Sequence, residues 1–122
     1  MSDAYETVTF NVRAIKENAA HMRALAHERG FAGIENDIVA RAAFERLLQR
    51  VSDAARAIPG EWKSRRGDVG WQTVIDLGDV IAEDYDRLDL RHLWEVFETH
   101  LDPLEAAVDA LTADHARRKA SP

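Results

Sequence analysis

The feature that most constrains the fold is a run near the end of the chain. Leu90, Trp94, Phe97, Leu101, Leu104, Val108 and Leu111 step 4-3-4-3-4-3 without an error. Such a seam requires a helix packed closely along other helices, because only a helix brings residues three and four apart onto one face. Asp102-Pro103 interrupts it. Proline is tolerated in a helix's first turn, with aspartate as the cap, so a kinked long helix or two consecutive helices both satisfy the pattern. Beyond the seam, residues 117–122 read as a polar tail that frays.

The remainder of the chain supplies the partners. Tyr5, Val8, Val12, Ile15, Ala19, Met22 and Leu25 form a stripe that predicts a first helix from about Tyr5 to Arg29, and Gly30 is placed to end it as a left-handed cap. Asn36 or Asp37 can accept the free amides that open a second helix. That helix carries Ile38, Ala42, Leu47, Leu48, Val51, Ala55 and Ile58 and stops before Pro59-Gly60. Residues 59–70 form a long loop rich in glycine and positive charge. A third helix begins near Trp71 and turns Val74, Leu77, Val80 and Ile81 to the core. Asp89 is set to cap the fourth. No strand alternation or internal repeat is visible. The expectation is an all-α, up-and-down bundle of four main helices in one domain, residues 1–116.

Composition narrows the function classes. The chain has 122 residues, no cysteine and a formal charge of −6. Thiolate chemistry, disulfides and cysteine–metal sites are therefore excluded, and non-specific nucleic-acid affinity is disfavoured, since it rests on cations neutralising phosphates. No apolar run approaches the roughly 18 residues that suggest a membrane span, and the first residues lack a signal-peptide pattern. A cytoplasmic location is the resulting expectation.

Polar residues gather most densely where the third helix meets the fourth. Asp76, Asp79, Glu83 and Asp86 follow one another at three- and four-residue steps, which on a helix puts four carboxylates on one face, and Tyr85, Arg87 and Asp89 crowd the corner. Such a face can be solvated, can meet a partner, or can bind a divalent cation, since hard cations take oxygen ligands. Against the metal reading, the acids come from one helix and no Glu-x-x-His pair is present. His21 and His27, six apart on the first helix, do not share a face, His100 and His115 read as surface residues, and His92 as a packing residue or a substrate or regulatory contact. Trp94 reads as core. Trp62 and Trp71 flank Lys63, Arg65 and Arg66. Interleaved aromatics and cations can stack on nucleic acid, but three charges in an acidic chain favour a flexible, solvated loop.

Val80-Ile-Ala-Glu-Asp-Tyr-Asp-Arg-Leu-Asp-Leu90, followed by Trp94, resembles the signature of HepT-like proteins of the HEPN superfamily. The order of helices is similar as well, over roughly Tyr5 to Leu111. The resemblance implies a compact all-α fold and descent from metal-independent ribonuclease toxins of toxin–antitoxin pairs, with no cofactor. It also implies homodimers and, as partner, a small MNT-type nucleotidyltransferase that silences the toxin by adding AMP to a tyrosine beside the active site. Tyr85 matches that tyrosine. By its residues alone, Tyr85 equally reads as a ring closing the helix corner.

The catalytic positions depart from the family's pattern. An arginine, a polar neighbour and a histidine are expected where Gly78, Asp79 and Glu83 stand. A histidine moves the ribose 2′-hydroxyl proton near neutral pH, and an arginine clamps the scissile phosphate. A glycine and a glutamate leave both roles unfilled. The resulting expectation is a HepT-like protein without ribonuclease activity that acts through protein–protein contact with a cognate nucleotidyltransferase, using Asp76, Asp79, Glu83, Asp86 and Arg87 as an interaction face. Two alternatives stand beside it. One is a ribonuclease with a displaced Arg87, His92 and Tyr85 constellation; the other is a bundle that binds a metal or small cation.

Overall fold

The computed structural model describes residues 4–83 and 88–120. It consists of α1 (Ala4–Glu35), α2 (Ile38–Ala57), a short α3 (Gly60–Lys63) followed by a 3-10 turn (Ser64–Arg66), α4 (Trp71–Glu83) and α5 (Leu90–Ala120). No strand occurs among the described residues, so the chain is an all-α bundle. None of these helices is long and apolar enough to cross a membrane.

The stripe on α1 packs as its spacing requires: Val8, Val12, Ile15, Ala19 and Met22 are buried. Gly30 adopts the left-handed region (φ 66°), but the chain beyond it resumes as one further helical turn that buries Ile34. The expected short link is therefore mostly helical. Asp37 caps α2, its carboxylate accepting from the backbone amides of Val39 (2.9 Å) and Ala40 (3.3 Å). These amides, Ala40's first, together with Arg29, hold the Asp37 carboxyl below its ordinary pKa.

The core face of α2 matches the expected one from Leu48 to Ile58 and departs from it in the first turns. Ala40, Phe44, Leu48, Val51 and Ala55 are buried, whereas Ile38 is 84% exposed and Ala42 lies in solvent. Residues 59–70 also differ from expectation. Trp62 and Trp71 are buried, and the Trp71 indole donates to the Arg66 carbonyl at 2.9 Å. Burying two indoles anchors the segment, so it is a folded connector. Lys63 donates to the Ala55 carbonyl near the C-terminal end of α2 (3.2 Å), and burial lowers its pKa.

Short links make α1 and α2 antiparallel, α4 lies along α2, and α5 runs back past α1. Three contacts fix that last register: Tyr5 with His115, Lys16 with Asp109, and Arg23 with Asp102. The seam of α5 buries Leu90, Leu101, Leu104, Val108 and Leu111. Trp94 and Phe97 join Phe44 at ring separations of 5.3–5.7 Å, and Phe31 meets Trp94 at 5.6 Å. Pro103 sits inside α5, which is one helix extending through exposed residues to Ala120.

Candidate functional site

The acidic face is built by α4. Asp76, Asp79 and Glu83 are exposed on one side of it. Asp86, the fourth acid, lies outside the described residues, as do Tyr85 and Arg87. The two upstream acids have partners. Gln72 donates to Asp76 (2.7 Å), and Arg56 of α2 reaches across to Asp79 (2.6 Å). Glu83 is exposed at the end of the described part of α4. Val80 shares this face and is 44% exposed. Among the described residues, no three His, Asp or Glu side chains gather closely enough to hold a metal ion.

Gly78 faces the other way. It is buried, two residues and therefore about 200° around the helix from Asp76. A Cβ built on it would fall onto the Ser52 hydroxyl and lie 2.6 Å from the Ser52 Cβ. The same hydroxyl donates to the Ile75 carbonyl (3.0 Å), and Arg56 donates there too (3.3 Å). The backbones of α2 and α4 thus approach because glycine stands opposite a small serine. Trp71, Val74, Ile75, Gly78 and Ile81 form one buried stripe at helical spacing. That periodicity was the available signal that position 78 points inward, away from the acids.

Past the corner, Leu88 is buried and its carbonyl accepts from Arg41 (2.6 Å). Asp89 caps α5 as its position suggested: its carboxylate accepts from the Arg91 amide (3.0 Å), and its carbonyl from the amides of His92 and Leu93. His92 is exposed. Arg91, one residue before it, lies over the Phe31 ring, 4.5 Å from the centroid. Of the displaced Arg87, His92 and Tyr85 set, only His92 belongs to the described residues. Sequence reasoning passed over Arg41 and Arg56. Both lie on α2, far from the corner in sequence, and only the tertiary fold brings them to it.

Chemically, the described part of the corner offers carboxylates, one exposed imidazole and, beside it, the exposed Arg91 guanidinium. The guanidinium of Arg56 is engaged by Asp79, and that of Arg91 by an aromatic ring. A phosphate near 4 Å from one carboxylate meets a repulsion of about 1 kcal/mol in water, rising to about 4 kcal/mol at a surface-like dielectric. The site as described favours a cationic or mixed partner surface over an anionic strand.

Comparison with known proteins gives the same ancestry as the corner motif. The family described as "Ribonuclease HepT-like" matches residues 15–111, which takes in α4, the corner and the seam of α5. A relative from Caldanaerobacter subterraneus subsp. tengcongensis, named "Putative RNase TTE0752", is 26% identical over 78 residues, covering 64% of this chain and 70% of that protein. No solved structure matches. With the family spanning most of the helical core, the chain belongs to the HepT-like ribonuclease family.

Proposed function

We propose that this chain is a HepT-like protein without ribonuclease activity that works by contact with a cognate MNT-type nucleotidyltransferase, as a cytoplasmic homodimer. The observation that carries the loss of activity is Gly78. The family's arginine position is filled by α2 packing, with the Ser52 hydroxyl where a Cβ would begin. Glu83 at the histidine position adds a negative charge where proton transfer needs an imidazole. The contact reading rests on apolar side chains around the corner. Ile38 and Val39 (84% and 74% exposed) open α2, which the Arg41–Leu88 hydrogen bond holds beside the corner. Val80 lies among the acids of α4. Apolar groups interleaved with charge are what a protein interface buries.

Two measurements test this. Labelled RNA incubated with the purified protein, with and without EDTA, should remain intact. Cleavage that disappears in His92→Ala would return the displaced constellation and overturn the inactive reading. A tagged chain co-expressed with a nucleotidyltransferase from the adjoining reading frame should carry it through purification, and Ile38→Asp with Val80→Asp should release it. Absence of a complex with the unmodified chain would sink the contact reading.

A further inference from the structure

A second polar cluster lies at the opposite end of α5 from the corner. From His92 to His115 the helix rises about 1.5 Å per residue, so the two regions stand roughly 35 Å apart. Here the start of α1, α3 and the last turns of α5 enclose an open cleft of about 600 Å³, within the ~300–1,000 Å³ range of small-ligand sites. Its floor is aromatic. Tyr5 stacks on His115 with ring centroids 4.1 Å apart and planes 17° from parallel, and Trp62 lies 5.3 Å from the same imidazole.

Its rim is cationic. Arg65 lies over the Trp62 ring (4.9 Å), Lys119 over the Tyr5 ring (6.0 Å), and Arg118 completes the lining. None of the three forms a carboxylate ion pair among the described residues. The nearby Asp114 is bound to Arg66 and Arg117. Among the described residues, Glu61 is the one carboxylate lining the cleft, against Arg65, Arg118 and Lys119, on a chain whose net charge is −6. Cations without carboxylate partners among the described residues, beside an aromatic stack, suit a ligand with a flat ring and a phosphate: the half-buried Tyr5–His115 pair meets the base, with the buried Trp62 behind it, and the guanidinium and ammonium groups take the anion.

We propose that this cleft binds a nucleotide, either free or as a unit of single-stranded RNA. The proposal does not depend on the corner's being inactive, and it assigns the Trp62–Arg65 segment, with its indole buried, a role that a solvated loop could not fill.

The test is calorimetric titration of the full chain with AMP, adenosine, inorganic phosphate and hexa-adenylate RNA, following the Trp62 indole N–H by NMR. AMP should bind with a Kd below about 1 mM and shift that resonance. Adenosine and phosphate should each bind at least about tenfold more weakly, since each supplies half of the recognition. The exposed triple variant Arg65→Ala, Arg118→Ala, Lys119→Ala should weaken AMP about tenfold or more, while Arg13→Ala, an exposed cation elsewhere on α1, leaves it unchanged. Hexa-adenylate binding about tenfold tighter than AMP assigns the site to a strand, and similar affinity assigns it to free nucleotide. No binding at roughly 5 mM AMP, equal affinity for phosphate alone, or undiminished binding by the triple variant overturns the proposal.

Discussion

The two ends of α5 are opposites built on one helix. At its start, Asp76, Asp79, Glu83 and Asp89 surround the corner, and the described cations nearby are bound to Asp79, a carbonyl and a ring. At its far end, Arg65, Arg118 and Lys119 rim an aromatic cleft. The first end carries the positions that match the family motif, and its described side chains are largely acidic. Anion-friendly chemistry sits at the second, outside the motif. The difference teaches that one helix can carry opposite charge character at its two ends. At position 78, where the family motif expects an arginine, a buried glycine packs against Ser52 of α2, so placing a larger residue there is a structural as well as a chemical change.

Restoring the motif is the strongest way to break that contrast. Gly78→Arg should fail as a repair: forcing a guanidinium between α2 and α4 should cost roughly 3–5 kcal/mol in urea unfolding. A stable Gly78→Arg protein with new ribonuclease activity would show that the helices part easily and that the two ends differ less than the packing implies. Gly78→Ala sharpens the point at smaller scale, with an expected loss of about 1–3 kcal/mol. Adding Ser52→Gly should recover most of it, because the clash is with that side chain. Removing the cap at the acidic end, Asp89→Ala, should cost about 1 kcal/mol by unfolding at neutral pH.

Smaller effects probe the charges themselves. Arg56 and Asp79 are about half exposed, so a double-mutant cycle should find a coupling of about 1 kcal/mol or less, weakening with added salt. Asp37 gives a pH handle. Its folded pKa is depressed, so its stabilising contribution is complete above the unfolded value and is lost as pH falls through the folded one. Melting temperatures should therefore be insensitive to this group near neutrality and decline as pH drops below the ordinary aspartate value of 3.8. Asp37→Asn should flatten that acid limb.

Much of this was legible in the sequence. The 4-3 seam, the Val8–Met22 stripe and the caps at Asp37 and Asp89 each follow from local rules, and each is where those rules put it. What was not legible depends on neighbours. Ile38 and Ala42 matched a helical stripe, yet the contact with α1 and α4 selects the face led by Ala40 and Phe44. Hydrophobicity alone could not place the first turns of α2, where Ile38 is as apolar as Phe44, although Leu48, Val51, Ala55 and Ile58 fell on the buried face as expected. Trp62 and Trp71 were ambiguous beside so many cations, because one-dimensional adjacency cannot tell a ring that stacks on a ligand from one that fills the core. The motif positions were identified by resemblance, and the apolar periodicity of α4 already turns position 78 inward, but only three dimensions reveal that Ser52 stands opposite it. Asp84, Tyr85, Asp86 and Arg87 lie outside the described residues.

Pro103 has a mechanical corollary. Lacking an amide hydrogen, it cannot tie back to the Thr99 carbonyl, so α5 forfeits one internal rung near its middle. Arg23 of α1 grips Asp102 on one side of that gap and Glu105 on the other. A splint from a neighbouring element bridges the spot where the rod is least able to hold itself straight. Any push or pull transmitted between the extremities of this protein must therefore pass through a joint whose stiffness belongs to α1.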